Sequence, residues 1–285
     1  MNAVVPSAQK TRSGLSLRVL QPTIGAEIEN VDLRLPVPDE LRDELRSALL
    51  KYKVLFFRSQ DITSEQQADF ARCFGALYTH PSTTNSRSIP ALHNIAAEDP
   101  QRYDDEHTHI EKWDAYHTDT SWRLVPTWAA VLRPVRLPAS GGDTVWVDAG
   151  LAYEGLPETI RSRLEGLYVT HDFRRSLTRA GHYYPLVSHP VVRTHRETGA
   201  RILWVNFSQN PQILGIPLQE SRELLVAILD QYRKPEHQVR FGWEPGSVAF
   251  WDNRSTVHYA VRNYGEFPRL LNRVLISDEP LYADL

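Results

Sequence analysis

Short β-rich runs recur along the chain from Leu77 onward, and they constrain its fold more than any other feature. They alternate with clusters of proline, glycine and asparagine. Examples are Thr127–Leu132, Thr144–Val147, Val191–Thr194, Ile202–Asn206, Ser247–Phe250 and Asn272–Ile276. Strands at this spacing are typical of an antiparallel sandwich or barrel.

Helical periodicity is confined to the first part of the chain and to two inserts. Leucines recurring at helical spacing predict an amphipathic helix over residues 38–52, and Thr63 with Gln66 has the pattern of a capping box that opens a second helix. The inserts are predicted near Pro157–Leu167 and Leu218–Tyr232. A β core with flanking helices is therefore expected, which is an α+β fold.

The domain organisation predicted from the sequence is simple. No internal repeat and no linker divides the 285 residues, so we expect a single domain over 1–285 with a flexible tail at 1–14. Between the first two helices, Val54–Phe57 is predicted to be a short buried strand.

Composition excludes several classes of function. The net charge of −3, from 32 Lys+Arg and 35 Asp+Glu, argues against a basic nucleic-acid binder. No apolar run approaches the roughly 20 residues of a membrane helix, and the N-terminus lacks a signal-peptide core. The single cysteine, Cys73, excludes a cysteine-cluster metal site. We expect a cytoplasmic protein that acts on a small molecule, without nucleic-acid or membrane partners.

Histidine and aspartate supply the candidate chemistry. His117 and Asp119 form an H-x-D motif, and on a strand residues i and i+2 face the same side. By itself the motif is better explained as a surface His–Asp pair, because H-x-D also occurs by chance. His258 follows an apolar strand late in the chain, and two imidazoles with one carboxylate form the facial triad of non-haem Fe(II) enzymes.

Two segments resemble one known family, the taurine dioxygenase (TauD/TfdA-like) family of Fe(II)/2-oxoglutarate-dependent dioxygenases. They are Tyr116–Trp122, which contains YHTD, and Trp251–Ala260, which reads WDNRSTVHYA. Further matches in the same order, such as Gly141–Thr144, extend the resemblance over nearly the whole chain. The resemblance implies a double-stranded β-helix (jelly-roll) core, with Fe(II), 2-oxoglutarate and O2 as cofactor and co-substrates.

The resemblance also implies roles at the centre of the site. His117, Asp119 and His258 match the iron ligands of the family. Thr144 and Arg269 match the residues that bind the distal carboxylate of 2-oxoglutarate. Read without the family, Arg269 could equally be a surface arginine. The planar guanidinium of arginine suits a carboxylate because it offers two parallel hydrogen bonds.

Four further residues are expected at the substrate. Arg273 and His80 match positions that bind the sulfonate in the taurine enzyme, so the substrate is expected to be anionic. Packing of His80 on the proline that follows it is the simpler alternative. Trp113 and Tyr116 precede His117 and are expected to form walls of the pocket, although both could equally be core residues.

Two departures from the family pattern bear on the substrate. Trp113 replaces a polar residue, and the segment Arg174–Ser188, which is expected to form a lid, is shorter than in the taurine enzyme. The implied reaction is hydroxylation of an unactivated C–H bond in a sulfonate, alkyl sulfate or aryloxy acid, with release of succinate and CO2. The same chemistry on an amino-acid-like or secondary-metabolite substrate, or a β-barrel binding module without catalysis, are the alternatives. Family resemblance also allows a dimer or tetramer.

Overall fold

Two antiparallel sheets that face each other form the centre of the molecule. The computed structural model describes residues 9–10, 14–81, 89–97, 115–179, 181–265 and 267–278. Most of the tail expected at 1–14, and Trp113, lie outside these residues. In the described part, the helices are α1 (Asp39–Tyr52), α2 (Ser64–Arg72), α3 (Ala149–Glu154), α4 (Glu158–Leu164), α5 (Arg174–Arg179) and α6 (Leu218–Tyr232).

The larger sheet contains most of the strands. Its order is β1-β2-β3-β4-β14-β7-β16-β5, with β6 also paired to β16. Of its pairings, β3 with β4 is parallel and the others are antiparallel. Its strands are β1 (Gln9–Lys10), β2 (Ser16–Val19), β3 (Ala26–Ile28), β4 (Val54–Phe57), β5 (Leu77–Tyr78), β6 (Leu92–Ala97), β7 (Ala129–Arg136), β14 (Val248–Asp252) and β16 (Arg269–Ile276).

The smaller sheet carries part of the site. It has the order β13-β8-β15, and two hairpins accompany it, β9 with β10 and β11 with β12. These strands are β8 (Thr144–Asp148), β9 (Tyr168–His171), β10 (Val187–Pro190), β11 (Val192–Thr194), β12 (Arg201–Leu203), β13 (Gln238–Phe241) and β15 (Thr256–Ala260).

Strand β4 shows why the apolar runs lack alternation. All of its side chains are buried. Leu55 and Phe57 pack in the cluster that contains Leu45 and Leu49 of α1, whereas Val54 and Phe56 pack in the cluster between the two sheets. Side chains still alternate between the two faces of the strand, but both faces are apolar because helices cover the outer face of the sheet.

Three apolar clusters define the layers. One lies between the larger sheet and helices α1 and α2. The second lies between the sheets, where Trp146 of β8 packs with Trp251 of β14. The third lies on the outer face of the smaller sheet, where α6 contributes Leu225 and Ile228. The space between the sheets is therefore the interior of the molecule.

Several local predictions agree with the structure. Helix α1 spans Asp39–Tyr52, against the predicted 38–52, and β4 has the predicted bounds. The capping box is present, with Thr63 Oγ1 accepting from the backbone N–H of Gln66 and the Gln66 side chain accepting from Thr63 N–H. Both helical inserts are found as α4 and α6.

The segment expected to be a lid is more regular than predicted. Residues 174–179 form α5, which begins just after Asp172 accepts a hydrogen bond from the backbone N–H of Arg174. Leu177 is fully buried and anchors this helix. Helix α3 was also not predicted; its start is capped by Asp148, which accepts from the N–H groups of Gly150 and Leu151.

Among the described residues, no helix combines the length and the apolar character that crossing a lipid bilayer requires.

Candidate active site

His117 and His258 face each other across a single antiparallel bridge. Each backbone N–H donates to the other residue's carbonyl oxygen, at 2.9 and 2.7 Å, and the ring centroids are 4.2 Å apart. His258 lies on β15 opposite Trp146, which packs between the sheets. The alternation of side chains along a strand therefore directs His258 into the interior.

Asp119 completes a cluster with the two histidines. One ligand atom from each of His117, Asp119 and His258 can be chosen so that all lie within 4.8 Å of one another. Asp119 is only 4% exposed. The side chain of Arg273 forms an ion pair with Asp119 Oδ1. The structure thus brings together the three residues that the sequence analysis singled out as candidate ligands.

The protonation states suit metal binding. Burial, followed by the proximity of His117, lowers the pKa of His258 to about 3, and desolvation lowers the pKa of His117. Burial by itself raises the pKa of Asp119, but Arg273 and the two histidines outweigh it and hold that pKa below its usual value. At neutral pH the cluster therefore has two neutral imidazoles and one carboxylate.

Hydrogen bonding leaves free electron pairs in the cluster. The His117 Nδ1–H group donates to the carbonyl oxygen of Ala115 at 2.9 Å, so Nε2 of that ring carries the lone pair. Asp119 Oδ2 and His258 Nδ1 are buried and have no hydrogen-bond partner among the described residues. Buried polar atoms without partners are costly, and a divalent cation would satisfy such a set. The residues therefore fit a metal ion.

A second group of polar residues lies along the same interior face. Thr144 lies two residues before Trp146 on β8 and pairs with Ala260 of β15. Arg269 is 4% exposed, and its Nε donates to Gly142 O at 2.8 Å while its Nη2 donates to Thr144 Oγ1 at 3.3 Å. Arg269 is thus a buried cation, not the surface arginine that the sequence also allowed.

Glycine is required where Arg269 crosses the loop before β8. Gly142 has φ +74°, and a Cβ atom there would lie 3.0 Å from Cδ of Arg269. The indole N–H of Trp243 donates to Thr144 Oγ1 at 2.9 Å and fixes the hydroxyl from the other side. This preformed pair of Thr144 and Arg269 can accept an anionic group such as a carboxylate.

Arg273 points into the same interior as Arg269. Residues two apart on a strand point to the same face, so Arg269 and Arg273 of β16 share a face with Leu271 and Leu275. Both leucines pack between the sheets, and the arginines therefore point there too. The Arg273 Nε–H group is buried and has no partner among the described residues. Arg273 therefore has a donor to spare beside Asp119.

His80 lies near this arginine. It is 6% exposed, and its pKa is lowered to about 4 by burial and then by Arg273, so the imidazole is neutral at neutral pH. His93 contacts it, with ring centroids 5.0 Å apart, and pairs in register with Arg273 across β6 and β16. No motif in the sequence marks His93, and strand register brings it to this group.

Aromatic side chains surround His80. Trp122 lies 5.7 Å from the His80 ring and stacks on Phe173, with an interplanar angle of 11°. Tyr184, from the segment expected to form a lid, meets the Trp122 ring edge-on at 4.7 Å. One wall beside Arg273 and Asp119 is therefore apolar and aromatic.

Tyr116 does not form this wall. It packs against Tyr259 and Tyr232 in the cluster on the outer face of the smaller sheet, and its hydroxyl accepts from Gln238 Nε2 at 2.9 Å. The expectation is corrected by the alternation of side chains, which sends neighbouring residues 116 and 117 to opposite faces. The prediction for Trp113 falls outside the described residues.

Comparisons with known proteins agree with this geometry. The model of the "Taurine catabolism dioxygenase TauD, TfdA family" matches residues 16–275. An alpha-ketoglutarate-dependent sulfate ester dioxygenase of Pseudomonas putida is 33% identical, over 90% of this chain and 87% of the relative. An alkylsulfatase of Acinetobacter baylyi is 30% identical, over 95% of this chain and 87% of the relative.

A solved structure extends the likeness to three dimensions. The crystal structure of a taurine dioxygenase from Burkholderia xenovorans superimposes with a TM-score of 0.81 at 35% identity, covering 98% of this chain and 94% of that one. The likeness confirms the predicted α+β fold with a jelly-roll core. The chain belongs to the TauD, TfdA family and is an alpha-ketoglutarate-dependent (2-oxoglutarate-dependent) dioxygenase.

Proposed function

We propose that this single-domain enzyme binds Fe(II) through His117, Asp119 and His258 and hydroxylates a small organic anion with 2-oxoglutarate and O2. The observation that carries the proposal is the convergence of these three side chains within 4.8 Å, with buried, unpartnered atoms among them. Such an ion, once bound, would let O2 act as the oxidant for a C–H bond while 2-oxoglutarate is oxidised to succinate and CO2.

The protein contributes a ligand set with one negative charge. Two neutral imidazoles and one carboxylate leave a divalent ion with net positive charge and with open positions for further ligands. Arg273 holds one oxygen of Asp119 and leaves the other oxygen available. The carboxylate is therefore oriented before any ion binds.

Thr144 and Arg269 are assigned to the distal carboxylate of 2-oxoglutarate. The guanidinium is buried beside a threonine hydroxyl that Trp243 already holds in place. Charge-assisted hydrogen bonds from a buried arginine are among the strongest available to a carboxylate. The preformed geometry reduces the ordering cost of binding.

Arg273, with the aromatic wall, is assigned to the primary substrate. Its unused Nε–H group can bind an anionic head, and the neutral imidazole of His80 beside it adds no charge. Trp122 and Phe173 can cover an apolar body. This combination favours an alkyl sulfate, a sulfonate or an aryloxy acid, and the P. putida and A. baylyi relatives carry names of the sulfate-ester kind.

In the reaction proposed for an alkyl sulfate, the carbon that bears the ester oxygen is oxidised. One oxygen atom of O2 enters that C–H bond and the other enters succinate. The hydroxylated carbon then expels sulfate and becomes an aldehyde. Closure of the pocket by the segment that carries Tyr184 would exclude water, as lids commonly do.

An anaerobic reconstitution tests the proposal. The purified protein would be loaded with Fe(II) and 2-oxoglutarate, exposed to O2, and offered hexyl sulfate, hexanesulfonate, phenoxyacetate and taurine, with hexanol as a neutral control. We expect iron-dependent succinate release with at least one anion and background release with hexanol. Absence of iron-dependent succinate with every anion would contradict the proposed function.

A further inference from the structure

The side chain of Asn253 makes four hydrogen bonds in the interior of the molecule. It is fully buried in the turn between β14 and β15. Its Oδ1 accepts from the backbone N–H of Asp119 at 2.9 Å and from the Thr118 hydroxyl at 3.0 Å. Its Nδ2 donates to Asp119 O at 2.8 Å and to Thr127 O at 2.9 Å. Both acceptor positions and both donors of the amide are therefore engaged.

These bonds join two parts of the chain that are distant in sequence. Asn253 precedes β15, the strand that carries His258, and its partners lie in the segment that carries Asp119. The single proton of the Thr118 hydroxyl is shared between Asn253 Oδ1 and the backbone oxygen of Asn253, which lies at 2.8 Å. The two ligand-bearing segments are thus connected through one amide side chain, in addition to the backbone bridge at His117.

The segment after Asp119 needs this support. Thr120 has φ +53°, a left-handed conformation that a β-branched residue rarely adopts. Its hydroxyl accepts from the backbone N–H of Thr127 at 2.8 Å, and the Thr127 carbonyl oxygen is itself bound by Asn253. Hydrogen bonds therefore fix both ends of the turn that follows the H-x-D motif, at Asp119 and at Thr127.

We propose that Asn253 is a positioning residue that fixes the backbone of Asp119, so that its carboxylate faces the two imidazoles. The inference rests on the proposed function, because it concerns the same metal-binding cluster. Without Asn253 the buried Asp119 N–H and C=O groups lose their partners, and Asp119 can turn away from His117 and His258. Partners of this kind typically change metal affinity by about 10- to 100-fold.

The test measures Co(II) binding to the folded apoprotein by anaerobic titration of its visible absorption. We expect Asn253→Ala to raise the Co(II) dissociation constant about tenfold or more and to change the absorption spectrum, because the carboxylate is no longer a well-placed ligand. Gln67→Ala is the matched control. Its buried amide donates to Val131 O and Asn272 O and accepts from Arg133, and none of these three residues is a hydrogen-bond partner of Asp119 in the contacts described above.

Gln67→Ala is expected to lower the melting temperature of the apoprotein, as Asn253→Ala does, while leaving the Co(II) constant and spectrum unchanged. Equal weakening of Co(II) binding in both variants, or an unchanged constant in Asn253→Ala, would overturn the inference. If wild-type protein binds no Co(II), the proposed function itself fails, which separates the two failures.

A milder variant covers the case in which Asn253→Ala does not fold. Thr118→Val keeps the shape of a side chain that is 1% exposed and removes the hydroxyl that donates to Asn253. We expect the Co(II) dissociation constant to rise about threefold, which corresponds to the loss of one modest hydrogen bond. A constant within measurement error of the wild-type value would then overturn the inference.

Discussion

Two of the close histidine pairs inside the jelly roll can be compared directly, His117 with His258 and His171 with His189, and only the first has the character of a metal site. The rings of His117 and His258 are 4.2 Å apart, and those of His171 and His189 are 5.1 Å apart. In both pairs desolvation is the largest cause of a lowered pKa. Proximity, burial and neutrality therefore do not distinguish them.

The difference lies in what surrounds each pair. Asp119 joins the first pair, whereas no third His, Cys, Asp or Glu among the described residues joins the second in a metal-binding group. The His189 Nε2–H group is shared between the carbonyl oxygens of Ser121 and Arg123, both at 2.9 Å. His189 thus supports the chain just after the H-x-D motif, so the second pair is structural. A carboxylate with an unpartnered oxygen is the feature that separates the pairs.

Removal of the Asp119 carboxylate tests the difference between the two histidine pairs and should have the largest effect. We expect Asp119→Ala to lose all measurable turnover and Co(II) binding, because the remaining imidazoles resemble the His171–His189 pair. The matched control, His171→Leu, should bind Co(II) as the wild type does. Residual iron-dependent succinate release in Asp119→Ala, or loss of Co(II) binding in His171→Leu, would contradict the distinction between the pairs.

The two interior arginines allow a finer separation. Arg269→Ala should raise the KM for 2-oxoglutarate by about 10- to 100-fold, which is the value of one or two charge-assisted hydrogen bonds. Arg273→Glu should raise the KM for the primary substrate more than that for 2-oxoglutarate, since it reverses the charge beside the aromatic wall. Steady-state kinetics with each substrate varied in turn would measure both. Equal damage to both constants in Arg273→Glu would reject this division.

Sequence patterns were sufficient where the determinant is local. Helix α1, the capping box at Thr63 and strand β4 follow from spacing and capping within a few residues. The three metal-binding candidates followed from motif order, and Arg269 from the family resemblance. For Tyr116 the sequence allowed both the pocket wall and the core, and the period of two along a strand, which separates it from His117, is the local signal that favours the core.

Other features depend on pairing between distant strands, which one sequence does not reveal. His93 reaches the site only because β6 pairs with β16 in the register that sets it opposite Arg273. Asn253 was visible within its motif, but its bonds to Asp119 and Thr127 require the turn before β15 to meet a segment far away in the chain. Trp243 likewise reaches Thr144 because it follows β13, which pairs with β8.

The smallest expected effect concerns His171 and stability at acid pH. Its pKa is well below the usual value because of burial and then the proximity of His189 and Arg193, and the side chain is 1% exposed. Below about pH 6.5 the unfolded chain binds a proton at this histidine whereas the folded chain does not. The folded state therefore loses stability as pH falls from about 6.5 toward the folded pKa, by at most about 1.4 kcal/mol per pH unit.

Replacement of this histidine by an apolar residue should remove that dependence. We expect the melting temperature of His171→Leu, relative to wild type, to rise as pH is lowered from 7.5 to about 5, because only the wild type must keep this imidazole unprotonated. His182→Leu, which changes an exposed histidine, is the control and should follow the wild type. Parallel melting curves for wild type and His171→Leu across this range would mean that His171 is accessible to protons in the folded state, so the second pair would differ from the first in burial as well as in ligands.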